Sequence, residues 1–294
     1  MIQVRNKLSQ EELFEAKKLI DCCQAYDGTY RDPYLSNMLN FDPNMPAFFL
    51  YYEKGELVGL LTVYADDQDV EVTILVHPAH RRQGIARALV TSFEKETASF
   101  PIRSVTFQTE RIFLERHPDF VSNWGLVEDE DTETWLGKDR KPYPLATVSN
   151  LEVLLADSSY QEQISQLKFQ AFSEEHEYRE IVDRYVAEAL KDPESRLYIL
   201  LKDDQVIGTC TVDLSSDTNY FYGLAISEPE RGKGYGSYLA KSLVNQLIEQ
   251  NDKEFQIAVE DSNVGAKRLY EKIGFVKQTQ VVYLNEKGAR DSEV

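Results

Sequence analysis

Arg231-Gly232-Lys233-Gly234-Tyr235-Gly236 decides the reading of this chain because it occurs twice: Arg81-Arg82-Gln83-Gly84-Ile85-Ala86 is the earlier copy. Each copy follows an apolar run of strand character, 221–226 and 72–76, and opens an amphipathic stretch of helix character, 237–249 and 87–96. A strand that turns through small residues into a helix leaves backbone N–H groups unpaired at the helix start. Such a turn binds anions, phosphate above all. The pattern predicts a phosphate-bearing cofactor, with two places to hold it.

The repetition extends beyond the loops. Gly59 and Gly208, in Glu56-Leu57-Val58-Gly59 and Gln205-Val206-Ile207-Gly208, lie 149 positions apart. Gly84 and Gly234 lie 150 apart, and Gly125 and Gly274 again 149 apart. Solenoid repeats run only ~20–50 residues, so a period this long means whole duplicated domains. The charged, proline-bearing stretch from Lys138 to Pro144 suits a linker. Domains are expected over 1–140 and 147–294, joined at 141–146.

The expected elements follow one order in both halves. In the first, Ser9 caps a helix over 10–24 after a short strand at 3–5, and strands follow at 47–53, 57–64 and 70–76. After the loop and its helix come a strand at 104–108, a helix at 112–122 and short strands at 126–128 and 132–136. The second half repeats this with a strand at 151–155, helices at 160–172 and 178–190, and strands at 197–202, 206–214 and 219–226. A strand at 255–260, a helix at 264–273 and short strands at 275–277 and 280–284 complete it. Three strands in succession exclude a run of βαβ units, and the fold class is α+β, or mixed α/β.

Composition narrows the function classes. Hydrophobic residues at 42% and aromatics at 11% of 294 residues supply two cores. No apolar stretch approaches the ~20 residues that span a bilayer. Met1-Ile2-Gln3-Val4-Arg5 lacks the apolar core of a secretory signal, so a cytoplasmic protein is expected. Cys22, Cys23 and Cys210, with His77, His80, His117 and His176, form no metal-ligand spacing, and no metal is expected. The net charge of −18 contains no basic stripe for nucleic acid, while an acidic surface attracts a cationic substrate such as an amine.

From Asn219 to Phe275 the residues resemble the GNAT superfamily of acyl-CoA-dependent N-acetyltransferases. Arg231-x-x-Gly234-x-Gly236 matches its loop signature, and Asn263-x-x-Ala266-x-x-Leu269-Tyr270-x-x-x-Gly274-Phe275 matches a second one downstream. The resemblance implies two tandem domains, each a mostly antiparallel, splayed sheet flanked by helices. It implies acetyl-CoA as donor and an amine as acceptor, with no nucleic-acid or membrane partner. The CoA pyrophosphate would lie on the backbone of Arg231, Gly232, Lys233, Gly234, Tyr235, Gly236 and Ser237. There Gly234 and Gly236 admit close approach and Arg231 and Lys233 are candidates to add charge. The pantetheine arm would pair with the exposed edge at Leu224, Ala225 and Ile226. Asn263 is a candidate partner for it, and equally an N-cap. Tyr270 is the expected acid for the departing thiolate, since a phenol of pKa ~10 donates usefully to it. The base for the amine stays open among Glu260, Asp261, Glu174, Glu175, His176, Glu177 and a water relay.

The first half keeps the loop signature but not the downstream one. A second CoA site is expected over Leu75, Val76, Arg81, Arg82, Gln83, Gly84, Ile85, Ala86 and Arg87. Counting back from Gly125 puts Val121 where Tyr270 stands and Leu114 where Asn263 stands, so this half reads as scaffold or as cofactor binding without turnover. Tyr26-Asp27-Gly28-Thr29-Tyr30-Arg31 reads as an irregular loop where such domains build substrate contacts. Acetyl transfer by the second half is therefore the leading expectation. A CoA-binding protein without turnover is the alternative. Aminoacyl transfer from charged tRNA is disfavoured by the two loops and the negative charge.

Overall fold

The computed structural model describes residues 1–146, 148–172 and 178–287. The chain runs through β1 (Ile2–Arg5), α1 (Gln10–Asp27), β2 (Phe48–Glu53), β3 (Glu56–Tyr64), β4 (Asp69–Val76), α2 (Ile85–Thr97) and β5 (Ser104–Glu110). It continues through α3 (Arg111–Arg116), α4 (Phe120–Trp124), β6 (Leu126–Lys138), β7 (Leu151–Leu155), α5 (Gln161–Phe172) and α6 (Tyr178–Lys191). Then come β8 (Ser195–Lys202), β9 (Gln205–Asp213), β10 (Thr218–Ile226), α7 (Tyr235–Gln250), β11 (Glu254–Glu260), α8 (Val264–Lys272) and β12 (Val276–Glu286). Packing divides it into two units, 1–133 together with the residues from Thr279 onward, and Thr134–Gln278.

In the first unit β1, β2, β3 and β4 pair antiparallel in succession, β5 joins β4 in parallel, and β12 pairs antiparallel with β5. Phe48 and Phe49 alternate sides, as strand geometry requires. Phe49 packs with Leu89 and Phe93 of α2, whereas Phe48 packs with Ala16 and Leu19 of α1. Ser9 starts α1 with a capping box, its hydroxyl accepting from the Glu12 amide while the Glu12 carboxylate accepts from the Ser9 amide. Leu114, Leu126, Val282 and Leu284 form a separate cluster beside β5.

In the second unit β7, β8, β9 and β10 pair antiparallel and β11 joins β10 in parallel. One face packs Phe221 and Phe255 against Leu239, Leu243 and Leu247 of α7. The other packs Ile199 against Ile164 of α5 and Val186 of α6. Both units thus have helices on both faces of a mostly antiparallel sheet.

Three elements differ from the sequence expectations. The helix expected at 112–122 is two, α3 and α4, because Pro118 has no amide to donate and restricts His117 before it. The short strands at 126–128 and 132–136 are one strand, β6, and those at 275–277 and 280–284 are also one, β12. Polar residues at the two expected breaks (Asp129 to Asp131, and Gln278 with Thr279) interrupt the apolar pattern but leave the backbone extended. β12 passes from the second unit to the first between Gln278 and Thr279. Residues 141–146 belong to the second unit, where the Tyr143 amide and carbonyl exchange hydrogen bonds with the Asn245 side chain, both at 2.8 Å.

Leu284→Ala empties a fully buried site and is expected to cost about 2–5 kcal/mol. Hydrogen exchange should then quicken in β5 and leave β8 and β9 unchanged.

Candidate functional site

The site in each unit begins where the parallel pair stops. β10 and β11 are in register from Thr218↔Glu254 to Phe221↔Ile257, and the β10–β9 ladder then shifts between Tyr222 and Ala225. Gly223 in that bulge has φ +58°, a conformation suited to glycine. Leu224, Ala225 and Ile226 lie beyond the last β10–β11 pair, on the stretch expected to pair with pantetheine. β4 and β5 stop pairing in the same way, after Val72↔Phe107, before Leu75 and Val76.

The two glycine loops share a frame. Gly234 caps α7 at φ +88° and Gly84 caps α2 at φ +83°, and neither helix start has a side-chain cap. Their first-turn N–H groups are oriented for an anion. Gly232 at φ +75° corresponds to Arg82 at φ +63°, so the earlier copy holds a side chain in the left-handed region. The first arginine of each loop bonds in the same way. Arg231 Nε donates to the Ile226 carbonyl and Arg81 Nε to the Val76 carbonyl, each at 3.0 Å. They tie the loop to the strand end. Lys233 pairs with Glu230 at 3.2 Å.

Gly236 also has a packing role. A Cβ there would lie 3.0 Å from Leu269 Cδ1, so this glycine admits the α7–α8 contact. The landmark pair has a similar origin, since a Cβ on Gly59 would meet Ile85 Cγ2 at 2.7 Å and one on Gly208 would meet Ile226 Cδ1 at 2.6 Å. Gln83, Ile85, Ala86 and Arg87 follow in the earlier loop and α2, and Tyr235 and Ser237 in the first turn of α7.

Asn263 caps α8, its Oδ1 accepting from the Ala266 amide at 3.0 Å. Tyr270, on the last turn of α8, is buried in the same cluster as Phe221 and Ile257, the last residues before the strands part. Burial raises its pKa, so the phenol keeps its proton. Of the base candidates, Asp261 accepts from Lys267 Nζ at 2.7 Å and from Thr134 Oγ1 at 2.5 Å, and Glu260 is exposed. Glu174, Glu175, His176 and Glu177 lie outside the described residues.

Within the first unit, a cavity of about 380 Å³ fills the space where β4 and β5 part and reaches the anion loop. Leu114 and Val121 pack in the cluster around Leu126. The segment 26–31, expected as an irregular loop, forms part of the cavity wall. Asp27 holds Arg81 by two bonds of 2.7 and 2.5 Å, and the Tyr30 and Arg31 amides donate to the Glu110 carboxylate at 3.0 Å. Arg31 Nη1 donates to Thr73 Oγ1 at 3.0 Å, Thr73 Oγ1 to Gln108 Oε1 at 3.5 Å, and Gln108 Nε2 to Glu71. Burial pushes the Glu71 carboxyl up to about 7, with Arg31 opposing and Glu133 and Asp66 adding to the rise. Sequence reasoning gives no individual role to Asp27, Glu71 or Glu110. The available signal is a carboxylate inside the apolar run Val70-Glu71-Val72.

The description "Acetyltransferase (GNAT) family" belongs to the family model that matches residues 13–137 and 160–275. The chain is 26% identical over 230 residues to a mycothiol acetyltransferase of Clavibacter sepedonicus, covering 74% of this chain and 73% of that one. It is 25% identical to one of Corynebacterium glutamicum (strain R), covering 78% of each. Among solved structures, a GCN5-related N-acetyltransferase from Sphaerobacter thermophilus superposes with a TM-score of 0.72 at 18% identity, over 97% of this chain and 95% of that one. A tandem GNAT protein from the clavulanic acid biosynthesis pathway superposes with 0.67 at 16%, over 97% and 98%.

The two loop arginines should separate in a denaturation experiment. Asp27→Ala strands a half-buried guanidinium and is expected to cost about 3–5 kcal/mol, as removal of one partner of a buried pair does. Arg231→Ala, which loses one exposed hydrogen bond, should cost about 1 kcal/mol.

Proposed function

From the premise that this chain belongs to the GNAT family of acetyltransferases, we propose that it moves an acetyl group from acetyl-CoA to a small-molecule amine, with turnover in the second half. One observation carries the reading: Tyr270, its proton held by burial, lies in the buried cluster that includes Phe221 and Ile257, the last paired residues of β10 and β11. A thioester carried on a pantetheine arm along 224–226 brings its sulfur to that end of the strand. The amine attacks the carbonyl carbon directly, and the C–S bond breaks as the phenol protonates the thiolate. The uncapped N–H groups at the start of α7 bind the pyrophosphate. The net charge of −18 favours approach of a cationic amine. The relatives that carry the name mycothiol acetyltransferase support a small molecule as acceptor.

The first half holds acetyl-CoA without turnover on this reading. Its cavity of about 380 Å³ supports binding, and the side chains at Leu114 and Val121 supply neither an amide nor a phenol.

Calorimetric titration with acetyl-CoA is expected to show two sites, one lost in Gly84→Trp and the other in Gly234→Trp. Tyr270→Phe should lower kcat by about 10²-fold or more and leave the Kd for acetyl-CoA unchanged. A folded chain that binds no acetyl-CoA overturns the reading. Turnover insensitive to Gly234→Trp and Tyr270→Phe moves the chemistry to the first half.

A further inference from the structure

Lys168 occupies a position on α5 that its helical pattern reserves for an apolar residue. It follows Ile164 by one turn on the stripe that faces the sheet, and it is 8% exposed. The offset that relates Gly59 to Gly208 places Leu19 at the matching point of α1, where a buried hydrophobic side chain fills the same role. In the second unit a charge-bearing amine has been put there instead.

Its surroundings offer little to a permanent ammonium. Nζ contacts Thr211 Oγ1 at 3.0 Å and lies 5.7 Å from the centroid of the Tyr222 ring. No carboxylate among the described residues pairs with it. An ammonium has three N–H donors, and one hydroxyl is poor compensation for its burial.

The amine also lies at the end of the paired stretch of β10. A Cβ added to Gly223 would lie 2.6 Å from Nζ, so the amine rests against the β10 bulge. That bulge follows immediately on Phe221, the last β10 residue paired with β11. The glycine does two things here: it takes φ +58°, and it leaves open the side of the strand from which Lys168 arrives.

We propose that Lys168 is the proton acceptor for the amine substrate in the second half, an assignment that rests on acetyl transfer taking place there. Burial depresses the Lys168 pKa to about 8, and the Cys210 thiol opposes the shift. Among the described residues Thr211 from β9 and Tyr222 from β10 face Nζ, and Cys210 lies on the opposite face of β9, where burial pushes its thiol up to about 12, so no thiolate competes near neutrality. The uncharged amine is therefore populated as pH rises through about 8, whereas an ordinary lysine stays charged to ~10.4.

In the transfer itself, the acceptor nitrogen forms the C–N bond with its lone pair and passes a proton to the Nζ lone pair, leaving an oxyanion on the former carbonyl. Collapse restores the C=O and breaks the C–S bond, and the thiolate takes the Tyr270 proton. Solvent then carries the proton from the Lys168 ammonium back to the Tyr270 phenolate. The sum is amine plus acetyl-CoA giving amide plus CoA.

The test uses the full chain with acetyl-CoA and hydroxylamine, a small nucleophile already uncharged at neutral pH, and follows kcat/KM from pH 6 to 9.5. Wild type is expected to rise through about pH 8. Lys168→Met and Lys168→Arg should both lose that limb and fall about 10²-fold at pH 8.5, with the acetyl-CoA Kd unchanged. The arginine variant carries the discrimination, because it keeps a positive charge that cannot accept a proton. Wild-type activity in Lys168→Arg, or an unchanged pH profile in Lys168→Met, overturns the assignment. If neither variant folds, the pH dependence of Lys168 labelling by acetic anhydride, read by mass spectrometry on the wild-type chain, replaces them. A midpoint near 8 supports the proposal and one near ~10.4 overturns it. Loss of turnover in Tyr270→Phe without loss in the lysine variants defeats this assignment alone. Turnover insensitive to both residues defeats the second-half reading with it.

Discussion

The parallel pairing of β4 with β5 and of β10 with β11 ends after four residue pairs in each unit, and the site depends on that interruption. A strand that continues without its neighbour carries peptide groups that no ladder satisfies. Such an edge costs free energy if buried and dry, and recruits an extended ligand if one is available. The loop that follows the strand then sets the reach of the edge. In both units an arginine Nε bonded to the last carbonyl of the strand holds the loop at a fixed distance from it. Separation of the strands, orientation of the loop and position of the helix start are one arrangement, repeated.

Upon this shared frame the two halves have diverged in opposite directions. The first places a carboxyl, an amide and a guanidinium around its opening, in the chain Glu71, Gln108, Thr73 and Arg31. The second lines the corresponding face with rings: Trp135 stacks on Tyr220 at 5.1 Å, Tyr220 on Tyr222 at 6.0 Å, and Lys168 lies over the last of them. A polar lining and an aromatic one select different ligands. The duplicated halves keep the same strand ends and loops and differ in the side chains around them.

Much of this is legible in the sequence because it is local. A capping box, a glycine that must adopt positive φ and an apolar run of strand length each leave their mark within a few residues, as Ser9, Gly84, Gly234 and the run 221–226 do. The duplicated glycines are legible as landmarks, but their causes are not. Gly236 is small because Leu269 approaches it, and Gly208 because Ile226 does, contacts that span tens of residues or part of a sheet. Asp27 beside Arg81, and Lys168 beside Gly223, are invisible for the same reason: the members of each pair are far apart in sequence, and nothing local to either one names its partner. The strand breaks expected at 129–131 and 278–279 are absent because side-chain polarity does not set backbone direction. A polar residue in a strand faces solvent or a partner without ending the strand.

The return of β12 to the first unit bears on how the chain is made. A ribosome releases residues in order at about 5–20 per second, and a domain whose elements are contiguous folds as soon as it emerges. Here Val282 and Leu284 complete the cluster that covers β5, yet they are almost the last described residues to appear. Until β12 emerges, β5 presents an unfilled edge to the nascent protein. Such an edge is a template for wrong pairing. That exposure lasts while Thr134–Gln278 is being made, so the sheet of the first unit is completed only after the second unit has emerged.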